Sequence, residues 1–217
     1  MKHLSNWIFG IVILAVIGFA TYAMTRSDEQ LVETTEVSSS DGSKNYYGNL
    51  ESPVTLTEYV DFQCEACYAY YPFVKELKEK YKDRVKFQIK YFPIASAHKL
   101  ATQAAQSAEA AARQDKFFEM HDKLFEEQKT WEQLKDPTSQ FEKYAKDIGL
   151  DIEKYKSDSK SDEVMAVVKK DLADATALKA SGTPTFVLNG KMIENPGPSL
   201  EALSKVLDDA LAGNTQQ

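Results

Sequence analysis

Apolar and polar positions divide the chain into three stretches of different pattern. Residues Trp7 to Ala23 form an apolar run, Trp-Ile-Phe-Gly-Ile-Val-Ile-Leu-Ala-Val-Ile-Gly-Phe-Ala-Thr-Tyr-Ala, with no charge inside it. As a helix this run spans roughly 25 Å, just short of a hydrocarbon core. Lys2 precedes it, while Arg26 is followed by Asp28, Glu29, Glu33 and Glu36. That asymmetry favours the N-terminus in the cytoplasm and the rest of the chain outside. Residues 1–26 are therefore expected to be a single-pass anchor, a cytoplasmic tip plus a transmembrane helix. A cleaved signal peptide is the competing reading, but Thr21-Tyr22-Ala23 is a poor small-x-small site. The length of the run and the interfacial aromatics Trp7 and Tyr22 favour the anchor.

Residues 27–45 have no apolar periodicity and are rich in Ser, Thr, Glu and Asp, which predicts a solvated linker. Beyond it the pattern becomes that of a folded body over residues 46–213. Val54 to Phe62 alternates and is rich in β-branched and aromatic residues, so it predicts a strand. Cys64 to about Tyr81 predicts a helix, with Tyr71, Val74, Leu77 (or Lys78) and Tyr81 at helical spacing and Pro72 as a kink. Arg84 to Tyr91 predicts a second strand, parallel to the first.

From about residue 96 to 180 the pattern is helical. Ala101, Ala104, Ala105, Ala108, Ala111 and Ala112 make a small-residue face, and Phe117, Phe118, Leu124 and Phe125 a bulky one. Phe141, Tyr144, Ala145 and Ile148 repeat at helical spacing up to a stop at Gly149. Ser161 is placed to cap a long helix carrying Val164, Val168, Leu172 and Ala175, which Gly182 is expected to end. These stripes read as core rather than as a cofactor-binding face. Thr185-Phe186-Val187-Leu188 and Lys191-Met192-Ile193 flank Asn189-Gly190, a hairpin signal. Ser199 then caps a closing amphipathic helix. The predicted class is α/β: a mixed sheet with a helical insertion after the first βαβ unit.

Composition narrows the function. A content of 43% hydrophobic and 27% charged residues suits a folded body. The net charge of −7 leaves no basic stripe to neutralise phosphates, which argues against nucleic-acid binding. The chain has two cysteines, Cys64 and Cys67, two residues apart. A loop that small gives little chain-entropy stabilisation, which weakens a purely structural disulfide. Structural zinc would need four ligands, and His3, His98 and His121 are not at paired ligand spacing, so no metal or cofactor is expected. Redox chemistry is the stronger reading.

Cys64 falls at the strand-to-helix junction. There the positive end of the helix dipole and its unpaired N–H groups stabilise a thiolate. Cys64 is thus the expected nucleophile, and Cys67, one turn further in, the resolving thiol. Pro184 stands at the entrance to a strand, where it is either an ordinary trans punctuation or a cis bond at a tight turn. Glu58 is either an edge-strand carboxylate or a partly buried acid with a raised pKa, placed to exchange a proton with Cys67.

The Glu58-Tyr59-Val60-Asp61-Phe62-Gln63 strand end running into Cys64-Glu65-Ala66-Cys67, Phe92-Pro93 before the Ala-rich helix, and Gly182-Thr183-Pro184-Thr185-Phe186-Val187 together resemble the DsbA-like branch of the thioredoxin superfamily. The resemblance covers about Tyr47 to Leu211. It implies a thioredoxin-like fold with an inserted helical subdomain and a thiol–disulfide oxidoreductase. By it, Pro184 would be a cis-proline facing the disulfide, the backbone at Thr183 would pair with a substrate peptide, and Glu58 would match the family's buried acid. The pair Glu65-Ala66 departs from the Pro-His of strongly oxidising members. A carboxylate beside Cys64 should raise its pKa and give a less oxidising centre.

The implied partners are exported proteins with cysteine pairs and a redox partner the sequence does not name, with the membrane engaged through the N-terminal helix. A monomer is expected, since the short tether holds no added dimerisation domain. The leading reading is an extracytoplasmic dithiol oxidase. A reductase or isomerase, and a non-catalytic binding or holdase module, are its competitors.

Overall fold

The computed structural model describes residues 41–213. The predicted anchor, and the linker up to residue 40, lie outside the described residues. Among the described residues no helix is long and apolar enough to cross a membrane.

Five strands form one mixed sheet: β1 (Asn45–Gly48), β2 (Thr55–Val60), β3 (Lys86–Tyr91), β4 (Thr185–Leu188) and β5 (Lys191–Met192), in the order β1-β3-β2-β4-β5. The β2–β3 pair is parallel, with Glu58 opposite Ile89 and Val60 opposite Tyr91, and the remaining pairs are antiparallel. Helix α1 (Glu65–Tyr81) makes the crossover between β2 and β3, running through Pro72. The hairpin turn at Asn189 and Gly190 has positive φ at both residues, 50° and 82°. Those values match the twist of the flanking strands.

The insertion is made of α2 (Ala101–Ala112), α3 (Phe117–Glu126), α4 (Gln128–Trp131), α5 (Thr138–Asp147), α6 (Ile152–Asp158) and α7 (Asp162–Ala177). The closing helix is α8 (Leu200–Leu211). Ser161 and Ser199 cap α7 and α8 as expected, each accepting at 3.2 Å from the backbone N–H three residues on. Gly149 ends α5 with φ 80°, and Leu150 N–H closes the turn on Ala145 O.

Strand alternation decides which side chains meet α1. Leu56, with Val74, Leu77, Tyr81, Phe186, Leu203 and Leu207, belongs to the core that joins the sheet to α1 and α8. Tyr59 and Val187 face the other way, onto Ala175 of α7. A second, larger core joins Val60, Phe62, Cys67, Ile89 and Tyr91 to the alanine face of α2 and the aromatics of α3, α4 and α5. Phe62, Phe125 and Phe141 are 1–2% exposed there. Burial of each contributes roughly 1.5–3 kcal/mol.

Two expectations need correction. The first is β1, which the sequence reading did not anticipate. It begins inside the stretch read as linker, and Ser43 and Asn45 are buried. Ser43 N–H and Oγ both donate to Asp171, a carboxylate with no solvent exposure that also accepts from Tyr91 N–H and pairs with Lys90 at 3.1 Å. Polar residues are held in by these bonds rather than by apolar burial, so hydropathy does not show them. Gly42 makes the approach possible: its φ is 75°, and a Cβ there would lie 2.6 Å from Asp171 Oδ1. Second, Gly182 does not end the long helix. Helix α7 stops at Ala177 with Lys179 at φ 60°, and Ala180 N–H bonds Ala175 O. At the apolar phase of α1, Leu77 and its alternative Lys78 are both buried.

Candidate active site

Strand β2 ends at Val60, and the chain turns through Asp61, Phe62 and Gln63 into α1, whose N-cap is Cys64 (φ −74°, ψ 125°). The turn is fastened by Asp61. Its carbonyl accepts from Cys64 N–H at 3.1 Å, and its buried carboxylate accepts from Gln63 N–H, Ile94 N–H and His98 Nδ1, each at 2.8 Å. Gln63 Oε1 accepts from Leu100 N–H at the start of α2. From the insertion, Gln128 Nε2 donates to Phe62 O at 2.8 Å and to Cys64 O at 3.3 Å.

Both cysteines are free thiols, Cys64 half-buried and Cys67 1% exposed. The predicted residues converge on them. Thr183–Pro184 is a cis peptide bond. Pairing of Thr185 with Tyr59 brings it to the end of β2, where Thr183 O lies 3.4 Å from Cys64 Sγ. Asn195 Nδ2 holds Pro184 O at 2.8 Å. Glu58, on the face of β2 turned to α1, is 5% exposed, so the edge-strand alternative does not hold. The Thr183 hydroxyl is buried and, among the described residues, has no hydrogen-bond partner.

The electrostatics separate the two thiols. Cys64 is lowered from 9.0 to about 5, chiefly by the hydrogen bond from the Cys67 thiol, with help from Thr183 and the N–H groups of Cys67 and Ala66, against the cost of burial. Cys67 is pushed well up by burial, by the neighbouring Cys64 and by Glu58, against a backbone N–H from Asp61. Glu58 is raised by burial from 4.5 to about 8, a rise that Lys78 moderates. Lys78 is lowered by its own burial, and its Nζ stands 4.2 Å from the Phe118 ring centroid. At neutral pH the arrangement therefore offers a thiolate at Cys64, a thiol at Cys67 and a proton on Glu58.

Glu65 plays a smaller part than its position beside Cys64 led us to expect. Its side chain is 85% exposed and lies 3.5 Å from Lys129 Nζ. Water and a cation screen its charge from the Cys64 sulfur. Ala66 contributes only its backbone N–H.

The sequence reading missed Asp61–His98, Gln128 and the influence of the Lys78 charge on Glu58. The first two join segments 37 and 64 residues apart, so no local pattern reports them. Lys78 did leave a signal, a lysine in the apolar phase of an amphipathic helix.

A thioredoxin family profile matches residues 40–209. Over 165 residues the chain is 34% identical to the Na(+)/H(+) antiporter NhaA 3 of Salinispora tropica, covering 76% of this chain and 24% of that protein. The chain thus spans about a quarter of the length of such curated relatives. It is also 29% identical over 219 residues to "Probable disulfide bond formation protein D" of Bacillus anthracis, covering 94% of each chain. Among solved structures, oxidised BdbD from Bacillus subtilis is similar with a TM-score of 0.64 and 25% identity, covering 77% of this chain and 92% of that one. By the profile match over residues 40–209, to which the sheet and its helical insertion conform, the chain belongs to the thioredoxin family.

Proposed function

We propose that the chain is an extracytoplasmic thiol–disulfide oxidoreductase that oxidises cysteine pairs in exported proteins. The observation that carries this reading is the strongly stabilised thiolate of Cys64 at the N-cap of α1, beside a buried thiol and the Thr183–Pro184 turn. Stabilising the reduced thiolate makes the disulfide form a better oxidant.

In the oxidising direction a substrate thiolate attacks Cys64 Sγ of the Cys64–Cys67 disulfide. A substrate–Cys64 bond forms, the Cys64–Cys67 bond breaks, and Cys67 takes the proton that Glu58 carries. A second substrate thiolate then attacks the substrate sulfur of the mixed disulfide and expels Cys64 as its stabilised thiolate. Two electrons have passed to the protein, and the substrate leaves with a disulfide. A partner disulfide, external to this chain, must take these electrons back. Thr183, at the strand entrance beside Cys64, offers backbone groups to an extended substrate segment.

The extracytoplasmic location rests on the apolar run of residues 7–23 and on the charges around it, which suit a single-pass anchor with the catalytic body outside. A disulfide persists in that compartment. The body is proposed to act there as a monomer.

The test is oxidative refolding of a reduced, cysteine-paired substrate, run alongside insulin reduction, with Cys64→Ser as control. Wild type is expected to promote refolding and the variant to lose that activity. Equal behaviour of the two would overturn the thiol–disulfide reading. Insulin reduction without oxidative refolding would instead support the reductase.

A further inference from the structure

Gln128 is the first residue of α4, has no solvent exposure, and reaches from the insertion into the turn that carries Cys64. Its single amide nitrogen donates to two carbonyls, Phe62 O and Cys64 O. Turning the amide over would set Oε1 against both carbonyl oxygens, so those acceptors fix its orientation. The consequence is that Oε1 is buried without a partner among the described residues. An unpaired buried acceptor costs about 1–3 kcal/mol. A methionine or leucine would fill the same space without that cost, so filling space does not account for a glutamine here.

We propose that Gln128 is a positioning residue: by holding the peptide planes that begin at Phe62 and at Cys64, it sets how readily Cys64 gives up and takes back a disulfide. The inference rests on reading Cys64–Cys67 as an exchange centre. Two features of the geometry support it. Cys64 has no side-chain cap, and the turn's own bonds, Cys64 N–H to Asp61 O and Tyr68 N–H to Cys64 O, leave Phe62 O to Gln128. The neighbouring Lys129 lies 3.5 Å from Glu65 and 5.8 Å from the Tyr68 ring centroid, so the same segment of the insertion also follows the exposed side of the centre.

The direction of the effect follows from what stabilises Cys64. Its sulfur is held chiefly by the Cys67 thiol, and beyond that by Thr183 and the N–H groups of Cys67 and Ala66, all of which require a fixed orientation of the turn. Releasing either plane lets the sulfur move off those donors. Removing the amide hydrogens also leaves two carbonyl dipoles less neutralised near the thiolate. Both changes disfavour the thiolate, and with it the oxidising power of the pair.

The experiment uses the full-length chain carrying Gln128→Met, which keeps the side-chain volume and removes both donors. Thiolate ultraviolet absorbance is titrated with pH, and the exchange equilibrium with glutathione is measured, both beside wild type. The Cys64 titration is expected to move to higher pH, and the equilibrium constant for reduction by glutathione to fall several-fold, with melting close to wild type. A folded variant whose titration and glutathione equilibrium match wild type would overturn the proposal. Should the methionine variant fail to fold, Gln128→Leu decides: it too offers no donor to either carbonyl, so both readouts must move the same way, and wild-type values sink the idea. Failure of the functional reading looks different, because there wild type itself exchanges no disulfides.

Discussion

Glu58 on β2 and Lys78 on α1 face one another across the sheet–helix interface, both withdrawn from water, and the charge of Glu58 reaches the thiol of Cys67. Lys78 lies three helical turns beyond Cys67 on the same face. The ammonium also feels Asp122, Lys75 and Glu79, and it rests on the rings of Phe118 and Tyr47. Lys90 on β3, whose side chain is also little exposed, is taken by Asp171 and Asp174.

Glu58 makes the fold sensitive to pH. Raised from 4.5 to about 8, it keeps in the folded state a proton that the unfolded chain has already released between those values. The folded state then binds more protons, so stability falls as pH rises through this window. Glu58→Gln should flatten that slope. In the oxidised protein it should be more stable than wild type at pH 8, by on the order of 2 kcal/mol, and near wild type at pH 5. Denaturant melts at the two pH values check this.

Cys64 acts in the opposite sense in the reduced protein. Its folded pKa is depressed from 9.0 to about 5, so its stabilising contribution is complete above pH 9 and is lost as pH falls to about 5. Reduced wild type should gain on reduced Cys64→Ser as pH rises from 5 to 9, and the two should converge at pH 4. A series of thermal melts under reductant reads the gap, and a gap independent of pH would contradict the assignment.

Cys67→Ser should trap what wild type passes through. With the buried thiol gone, a mixed disulfide between Cys64 and a cysteine peptide has no internal partner to resolve it. Mass spectrometry is expected to find the adduct persisting at least tenfold longer than in wild type. Cys64→Ser should form none.

Asp171 tests the clasp on the N-terminal edge. Asp171→Ala leaves Lys90, Ser43 and Tyr91 N–H without their shared acceptor. A loss of about 3–5 kcal/mol in unfolding free energy is expected, as for one partner removed from a buried pair. Gly42→Ala should lose about 1–3 kcal/mol, through positive φ and crowding against the same carboxylate. Exchange activity per folded molecule should change little in either.

What was legible in the sequence was whatever leaves a periodic or local mark. Alternation marked β2, the alanine and aromatic spacing marked the insertion, Asn189-Gly190 marked the hairpin, and Ser161 and Ser199 marked their helices. Cys64, Cys67, Pro184 and Glu58 were legible through spacing and resemblance, and they do converge. What escaped depends on contacts between distant segments. Strand β1 is four residues long and is held by ladder bonds and a polar clasp, so it carries no hydrophobic alternation. The end of α7 escaped because Lys179 adopts the left-handed conformation usually left to glycine. The fate of the Glu65 charge could not be read either, because Lys129, which screens it, lies 64 residues away.

The alanine face of α2 has a consequence of its own. Ala101, Ala104, Ala105, Ala108, Ala110 and Ala111 are all 0–2% exposed. Where contacts are one methyl thick, adding a single carbon displaces a whole neighbouring helix. Substitutions that enlarge this face of α2 are therefore expected to cost more than changes in the connecting loops. Lineages that change which clients they serve are expected to write those changes into the connecting loops, and to inherit the axle unaltered.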